Sequence, residues 1–490
     1  MVQGAGSNVG KSLIVAGLCR LFARRGIVVR PFKPQNMSNN AAATPDGGEI
    51  GRAQALQALA AGVEPVIDMN PVLLKPESDT GSQVIVQGKR WATMRAKEFT
   101  RRKPELMPYV LDSYKKLSSQ ADLVIIEGAG SPAEINLRTG DIANMGFAEA
   151  ADVPVVLIGD IERGGVIANL VGTHTVLSSQ DRTRIKAFAV NKFRGDATLF
   201  DEGVLEIAQR TGWESLGVLP YFSNAACLPA EDILDIDRPL KKRAKTKRNQ
   251  LKIIVPVAGR IANFDDLDPL KLEPNISLRL VHPGQPLPLD SDLMLLPGSK
   301  ATRADIDVFH AQGWDIDIKA HVRKGGYVLG LCGGYQMLGT SISDPQGVEG
   351  PAGSTSGLGL LDVETILSGQ KVVKPVTGRH LASNTEISGY EIHIGQTSGP
   401  DTDKPLFEVS GIPCGALSSC NRVMGTYVHG IFNNDAFRRA FLNSIYNDIA
   451  ANISYLPTIE RSLDDFADHL TKHMNCNAIW RIASAKSGSN

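Results

Sequence analysis

The 490-residue chain has no excess of charge of either sign: Lys and Arg number 52, Asp and Glu number 52, and the formal net charge is +0. That balance removes the electrostatic footprint of a nucleic-acid or membrane-surface protein, so neither is expected as a partner. Aromatic residues are scarce, at 6%. The six cysteines, at 19, 227, 332, 414, 420 and 476, include no CxxC pair. This argues against a disulfide framework or a thiolate zinc site and suits a cytoplasmic protein. No apolar run is long enough to span a bilayer, and no secretory leader is expected, since the opening residues read as a glycine-rich loop. Glycine is the abundant residue, with 48 copies in a chain that is 42% hydrophobic. Such a composition fits α/β domains with many tight strand–helix turns, and the length suits two or three of them.

The stretch Tyr327-Val328-Leu329-Gly330-Leu331-Cys332-Gly333-Gly334-Tyr335-Gln336 is an apolar strand pattern that stops at a cysteine between glycines. A buried strand that turns sharply into a helix needs small neighbours and strained angles at the bend, and it exposes one side chain there. Cys332 then sits near a helix N-terminus, which favours thiolate and offers N–H groups to an oxyanion. A lone cysteine in such a run would read as a buried core residue. The candidate base is His429, which ends the strand pattern Val423-Met424-Gly425-Thr426-Tyr427-Val428 and so can fold back onto Cys332. His393, in Gly389-Tyr390-Glu391-Ile392-His393, is its competitor and reads as structural or substrate-side; that strand is expected to pass the site. Gly298, after the strand at 293–296, is positioned to complete an oxyanion hole with Gly333.

At the other end, Gly4-Ala5-Gly6-Ser7-Asn8-Val9-Gly10-Lys11-Ser12 precedes a helical pattern. Its Gly-Lys-Ser ending is that of a phosphate-binding P-loop. Backbone N–H groups, with Gly4, Gly6 and Gly10, would cradle ATP, Lys11 would reach the β/γ oxygens, and Ser12 would hold Mg²⁺. The spacing is one residue longer than usual, and only three residues precede Gly4. Either the native start lies upstream or the first strand is very short. Lys33, in the exit loop of a strand expected at 28–36, reads as a cation for transferred phosphate or as a solvated loop lysine. Asp46, before a helix at 51–61, reads as a helix N-terminal charge or as a metal carboxylate. Glu127 ends the fully apolar run Leu123-Val124-Ile125-Ile126, where parallel sheets carry functional side chains, and is the better metal ligand. Further strands are expected at 153–159 and 187–191. Asn191 would present its amide to a nucleotide base. A polar loop at 131–146 lies between.

Alternating strands and helices predict an N-terminal parallel sheet with helices on both faces and a second α/β domain. The expected boundaries are 1–238, a basic linker at 239–250, a second domain at 251–445 and a helical tail at 446–490. The basic run 241–248 reads as a solvated linker rather than a nucleic-acid patch. Strands of the second domain are expected at 251–257, 276–281, 293–296 and 327–331. In the tail, Ser462 and Asp465 form a capping-box pattern.

The Cys332 and His429 stretches resemble class I glutamine amidotransferase domains, and the first half resembles dethiobiotin synthetase-like P-loop ligases. Fused in this order, with Glu49-Ile50-Gly51-Arg52-Ala53-Gln54, Gly128-Ala129-Gly130-Ser131-Pro132-Ala133-Glu134-Ile135-Asn136-Leu137 and Asp141-Ile142-Ala143-Asn144-Met145-Gly146, the chain resembles the cobyric acid synthase family over nearly its whole length. The resemblance implies a cytoplasmic ligase that uses ATP, Mg²⁺ and glutamine to amidate a corrinoid, adenosylcobyrinic acid a,c-diamide, at its b, d, e and g carboxylates. It implies that Cys332 and His429 release ammonia, that Tyr335 and Gln336 hold glutamine, and that Lys33 supplies the extra cation. Many class I amidotransferases carry Glu two residues after the histidine; here that position is Ile431, so a Cys–His pair with no acidic orienter is expected. The related cobyrinic acid a,c-diamide synthases share the two-part design, and a P-loop switch ATPase with a degenerate amidotransferase module is the non-catalytic alternative.

Overall fold

The computed structural model describes residues 1–76, 81–229, 250–259, 261–367 and 371–485. The basic run 241–248 lies outside the described residues. The chain divides into two compact units. One comprises Met1–Ser38, Ile50–Leu228 and Ile459–Asn490; the other comprises Asn39–Glu49 and Pro229–Thr458.

The first unit is built on a parallel sheet. Its strands run in the order Val29–Phe32, Leu123–Ile126, Val2–Gly4, Val155–Asp160, Ile185–Phe193 and Glu214–Pro220, with a parallel bridge between Val2 and Glu127 joining the two halves. Val155–Asp160 is buried along its entire length, as a strand covered by helices on both faces must be. The carboxyl ends of these strands gather the loop after Gly4, Lys33, Glu127 and Asn191 on one edge, where open parallel sheets bind ligands. A second small sheet has no counterpart in the sequence reading: Gln35–Met37 runs parallel to Val72–Pro76, followed by the antiparallel strands Gly81–Val86 and Lys89–Arg95.

The C-terminal segment departs from the expected separate tail, because Ile459–Asn490 groups with the first unit. Helix Tyr455–His473 lays Phe466 and Leu470 against helix Lys11–Arg24. A Cβ on Gly17 would fall 2.5 Å from Phe466 Cδ1 and 2.7 Å from Leu470 Cδ1. Arg20 pairs with Glu460 at 2.5 Å and with Asp464 at 2.8 Å. Partly exposed pairs of this kind contribute about 0–1 kcal/mol each, so apolar burial holds the helix and the charges set its register. Ser462 lies inside this helix and is buried, so it is not the N-cap its spacing suggested.

The second unit centres on a six-stranded sheet. Strands Ile276–Val281, Leu251–Pro256, Leu293–Leu296, Tyr327–Leu331 and Val423–Thr426 are parallel, and Ala416–Leu417 closes the edge antiparallel. A second, antiparallel sheet orders Ile412–Cys414, Phe407–Val409, Val372–His380, Thr385–His393 and Val428–His429. The run at 423–429, expected as one strand, is therefore two. It leaves the parallel sheet after Thr426 and re-pairs at Val428, with Tyr390 opposite His429. The Val428 N–H donates to Thr426 Oγ1 at 3.1 Å across this break.

Arg438 and Glu273 are both buried and pair at 2.8 Å, while Arg438 also donates to Phe432 O, Asp435 and Ile453 O. Removing one member of such a pair strands a buried charge, which costs about 3–5 kcal/mol, whereas replacing both by apolar groups is often neutral. Arg438→Met is expected to lower the urea midpoint of the second unit sharply, and Arg438→Met with Glu273→Leu to recover most of it. Equal loss in both variants would refute the stranded-charge account.

Candidate active site

In the second unit, strand Tyr327–Leu331 delivers Cys332 to the start of helix Gly333–Leu338. Cys332 has φ 51° and ψ −108°, the strained bend expected of an elbow. The turn closes tightly: a Cβ on Gly334 would lie 2.1 Å from Leu296 O, so glycine is required there. The Cys332 N–H donates to Thr426 O at 2.8 Å. Cys332 is 8% exposed, its thiol donates to Ile392 O at 3.5 Å, and it acts on the charge of the His429 imidazole. Strand Thr385–His393 thus passes the thiol, as expected.

His429 has the acidic partner that the sequence reading denied it. Its Nδ1 lies 2.7 Å from Asp266 Oδ2, and the other carboxylate oxygen accepts the Gly430 N–H at 2.6 Å. Asp266 comes from the short helix Phe264–Leu267, which follows Asn263 in the left-handed region at φ 55°. Tyr390 stacks on the ring at 5.3 Å and donates its hydroxyl to Asp265 at 3.0 Å. Burial drives His429 toward neutrality, but the charge and hydrogen bond of Asp266, with Cys332, outweigh it and push the imidazole up to about 10. A cationic imidazole beside a thiol favours the thiolate, the nucleophilic form.

Gly298 and Gly333 both come to this site. A Cβ on Gly298 would stand 3.2 Å from His429 Cε1, and one on Gly333 would stand 2.7 Å from Ser299 N. Tyr335 and Gln336, expected to hold glutamine, lie buried on the helix that Cys332 opens. The Tyr335 ring is buried edge-on against Tyr427 at 5.2 Å, and burial pushes its phenol up. Gln336 donates to Ile394 O at 2.9 Å and Tyr427 Oη at 3.2 Å, and accepts from Thr302 at 3.2 Å. Its amide is used by the protein itself. His393 stacks on Tyr427 at 3.9 Å and is pushed down to about 4 by burial, against the pull of Glu391. A ring so readily kept neutral is the weaker partner for a thiolate, which favours His429.

In the first unit the loop after Gly4 wraps onto helix Lys11–Arg24. Gly10 takes the left-handed N-cap conformation at φ 95°, and a Cβ there would lie 2.5 Å from Asn191 Nδ2. Asn191 donates to Val9 O at 2.8 Å and accepts from its neighbour Lys192 N. It braces the phosphate loop, at the strand end where a contact with a nucleotide base was expected. Lys11 Nζ rests on Gly130 O at 3.1 Å and Gly6 O at 3.4 Å.

Glu127 gathers the remaining groups. Its Oε1 accepts from Ser12 Oγ at 2.8 Å and Lys33 Nζ at 2.7 Å; its Oε2 accepts from Gln57 at 2.6 Å and Gln54 at 3.4 Å. Lys33 is therefore a buried, paired lysine rather than a solvated one. Gln54 and Gln57 were missed, although their i, i+3 spacing on helix Arg52–Ala61 puts both amides on one face. Asp46 stands exposed on the turn 44–48, in a segment that groups with the second unit; within the first unit Glu127 is the carboxylate at Ser12. Among the described residues no three His, Cys, Asp or Glu side chains cluster as a metal site, and no helix is long and apolar enough to cross a membrane.

A P-loop unit joined to a thiol–imidazole–carboxylate unit defines a glutamine-dependent amide ligase, an enzyme. Comparison with known proteins agrees in both halves. Residues 1–236 match the CobQ/CobB/MinD/ParA nucleotide binding domain, and residues 252–437 match the CobB/CobQ-like glutamine amidotransferase domain. The chain is 59% identical over 483 residues to a cobyric acid synthase of Cereibacter sphaeroides, covering 99% of each chain. It is 59% identical over 484 residues to that of Bradyrhizobium diazoefficiens, again covering 99% of each, and 57% identical over 485 residues to that of Methylobacterium nodulans. The chain belongs to the cobyric acid synthase family.

Asp266→Asn removes the charge that holds the imidazolium. The alkaline limb of glutamine hydrolysis, read as kcat/KM against pH, is then expected to move down by about 1–3 pH units. An unmoved limb would mean that Asp266 does not set the state of His429.

Proposed function

We propose that the second unit releases ammonia from glutamine and that the first unit, with ATP, uses it to amidate the b, d, e and g carboxylates of adenosylcobyrinic acid a,c-diamide on the way to adenosylcobalamin. The observation that carries this reading is the Asp266–His429–Cys332 row at a strained elbow, in one chain with the Lys11–Ser12–Glu127 phosphate site. The Cys332 thiolate attacks the glutamine carboxamide carbon. His429 gives its proton to the departing nitrogen, leaving a glutamyl thioester, and then takes a proton from the water that hydrolyses it. The Gly298 and Gly333 backbone would face the developing oxyanion.

In the first unit a corrinoid carboxylate attacks the γ-phosphate of ATP, and ammonia displaces phosphate from the acyl phosphate. Lys11 and Lys33 balance the charge on the transferred group. Ser12 Oγ and Glu127 Oε1, 2.8 Å apart, are hard oxygen donors of the kind Mg²⁺ takes beside phosphate and water. They would hold that ion, which when bound neutralises phosphate charge. The loop 131–146 borders the corrinoid in this reading; Asp141 and Asn144 fix it through the Ala143, Asn144, Gly146 and Ala129 N–H groups. The six cysteines are free, which fits a reducing cytoplasm.

Cys332→Ala is expected to lower glutamine-driven amidation by about 10³-fold or more while ammonium-driven amidation persists, because only the nucleophile is lost. Lys11→Ala is expected to depress both by about 10²-fold or more. Offering the purified protein cobyrinic acid and its a,c-diamide, and counting amides by mass, tests the acceptor. Four amides added to the diamide support the reading, and two added to the unamidated acid would replace it.

A further inference from the structure

The chain carries no net charge, but its charge is unevenly spread. Residues 89–103 hold seven cationic side chains and one acidic one, Glu98. They form the edge strand Lys89–Arg95 of the small sheet, the helix Ala96–Arg102 that follows it, and Lys103. Lys89, Arg90, Arg95, Lys97 and Arg101 are exposed and, among the described residues, make no ion pair. Cations on an edge strand guard it against pairing with another chain. That accounts for the strand, but not for the helix or for the missing counter-charges. Arg102 is fixed, lying over the Trp91 ring at 4.3 Å and pairing with Glu105 at 3.0 Å. Lys103 ends the strip and is half-buried. Its Nζ stands 3.9 Å from Asp141 Oδ1, close enough to feel the charge but too far for a hydrogen bond. Burial pushes this ammonium down, and one carboxylate at that distance does not restore it. Asp141 in turn anchors the loop 131–146 through the Asn144 N–H. Asn144 holds Ala129 beside Gly130, whose carbonyl accepts from Lys11. The strip is thereby tied to the phosphate site.

We infer that Lys103 binds a carboxylate of the corrinoid acceptor while the exposed cations of 89–101 draw in the others. This rests on the reading of the acceptor as adenosylcobyrinic acid a,c-diamide. In that reading the acceptor arrives with its b, d, e and g carboxylates free on one macrocycle, and only one of them can meet the γ-phosphate in a turnover. Lys11 and Lys33 balance the transferred phosphate, so the other carboxylates need cations elsewhere. Attraction between an exposed strip and a polyanion acts over about a Debye length and weakens with salt. Lys103, partly desolvated, would hold its carboxylate by a short charge-assisted hydrogen bond.

The test follows amidation by the full chain with ammonium as nitrogen source, so that glutamine hydrolysis plays no part. For Lys103→Gln, KM for the a,c-diamide is expected to rise about 10-fold or more, the loss of one charge-assisted hydrogen bond. The change should sit in KM rather than kcat and leave KM for ATP in place, and Lys103→Arg should keep most of the affinity. For Lys97→Gln with Arg101→Gln, kcat/KM for the diamide at low salt should fall about 10-fold, and its decline with added salt should flatten. A KM for ATP that rises with that for the diamide would assign the strip to the nucleotide and overturn the inference. An unmoved diamide KM or an unchanged salt dependence would overturn it too. If Lys103→Gln does not fold, the exposed pair decides: a flattened salt dependence supports the strip, and an unchanged one refutes it. Failure of the underlying reading looks different, since the unaltered chain would then add no amide to the a,c-diamide.

Discussion

The second unit depends on one imidazole held between a carboxylate and a thiol. Burial by itself would leave His429 neutral, and a neutral ring cannot hold a proton ready for a leaving amine. The Asp266 contact at 2.7 Å reverses that preference. A hydrogen bond to a charged group contributes about 1.5–3 kcal/mol, against about 1 for a neutral pair, so this contact outranks its neighbours in fixing the ring. The surroundings serve it: Gly430 N–H holds the second carboxylate oxygen, Tyr390 covers the ring face, and Asp265 holds the Tyr390 hydroxyl. The left-handed Asn263 begins the turn that aims both acids.

The elbow is the matching constraint on the sulfur. A non-glycine residue at positive φ costs about 1–3 kcal/mol and persists only where its surroundings over-determine it. Here the Cys332 N–H is tied to Thr426 O, and a Cβ on Gly334 would lie 2.1 Å from Leu296 O. Thr426 is also the last residue of the strand that breaks and re-pairs to deliver His429. The strand that clamps Cys332 therefore also positions His429, and the strain at one is stabilised by the pairing of the other.

Much of this was legible from residue order. Continuous apolar runs marked the parallel strands, and a run that ends in Cys or Glu and then glycine marked where chemistry sits. What escaped the reading came from groups whose role exists only after folding. Asp266 follows the first strand of its unit and precedes both Cys332 and His429, so a search immediately after the histidine met Ile431. The available signal was an acidic turn beyond the carboxyl end of a buried strand, where parallel sheets place function. Gln54 and Gln57 were given no role of their own in the helix expected at 51–61. In the hairpin strands Gly81–Val86 and Lys89–Arg95 buried residues do not alternate with exposed ones, so the period-2 signal is missing. The helix Tyr455–His473 showed its amphipathic face but not the helix it covers.

The same limit bears on Tyr335, Gln336 and Asn191, whose bonds within the protein no motif announces. Each sits where a motif leads one to look, and each has a polar group that a ligand could use. The structure spends those groups on itself: Gln336 ties the elbow helix to Ile394, Tyr427 and Thr302, and Asn191 ties a strand end to the phosphate loop. A buried amide left unpaired costs about 1–3 kcal/mol, so an amide next to a site satisfies its neighbours before it can serve a substrate.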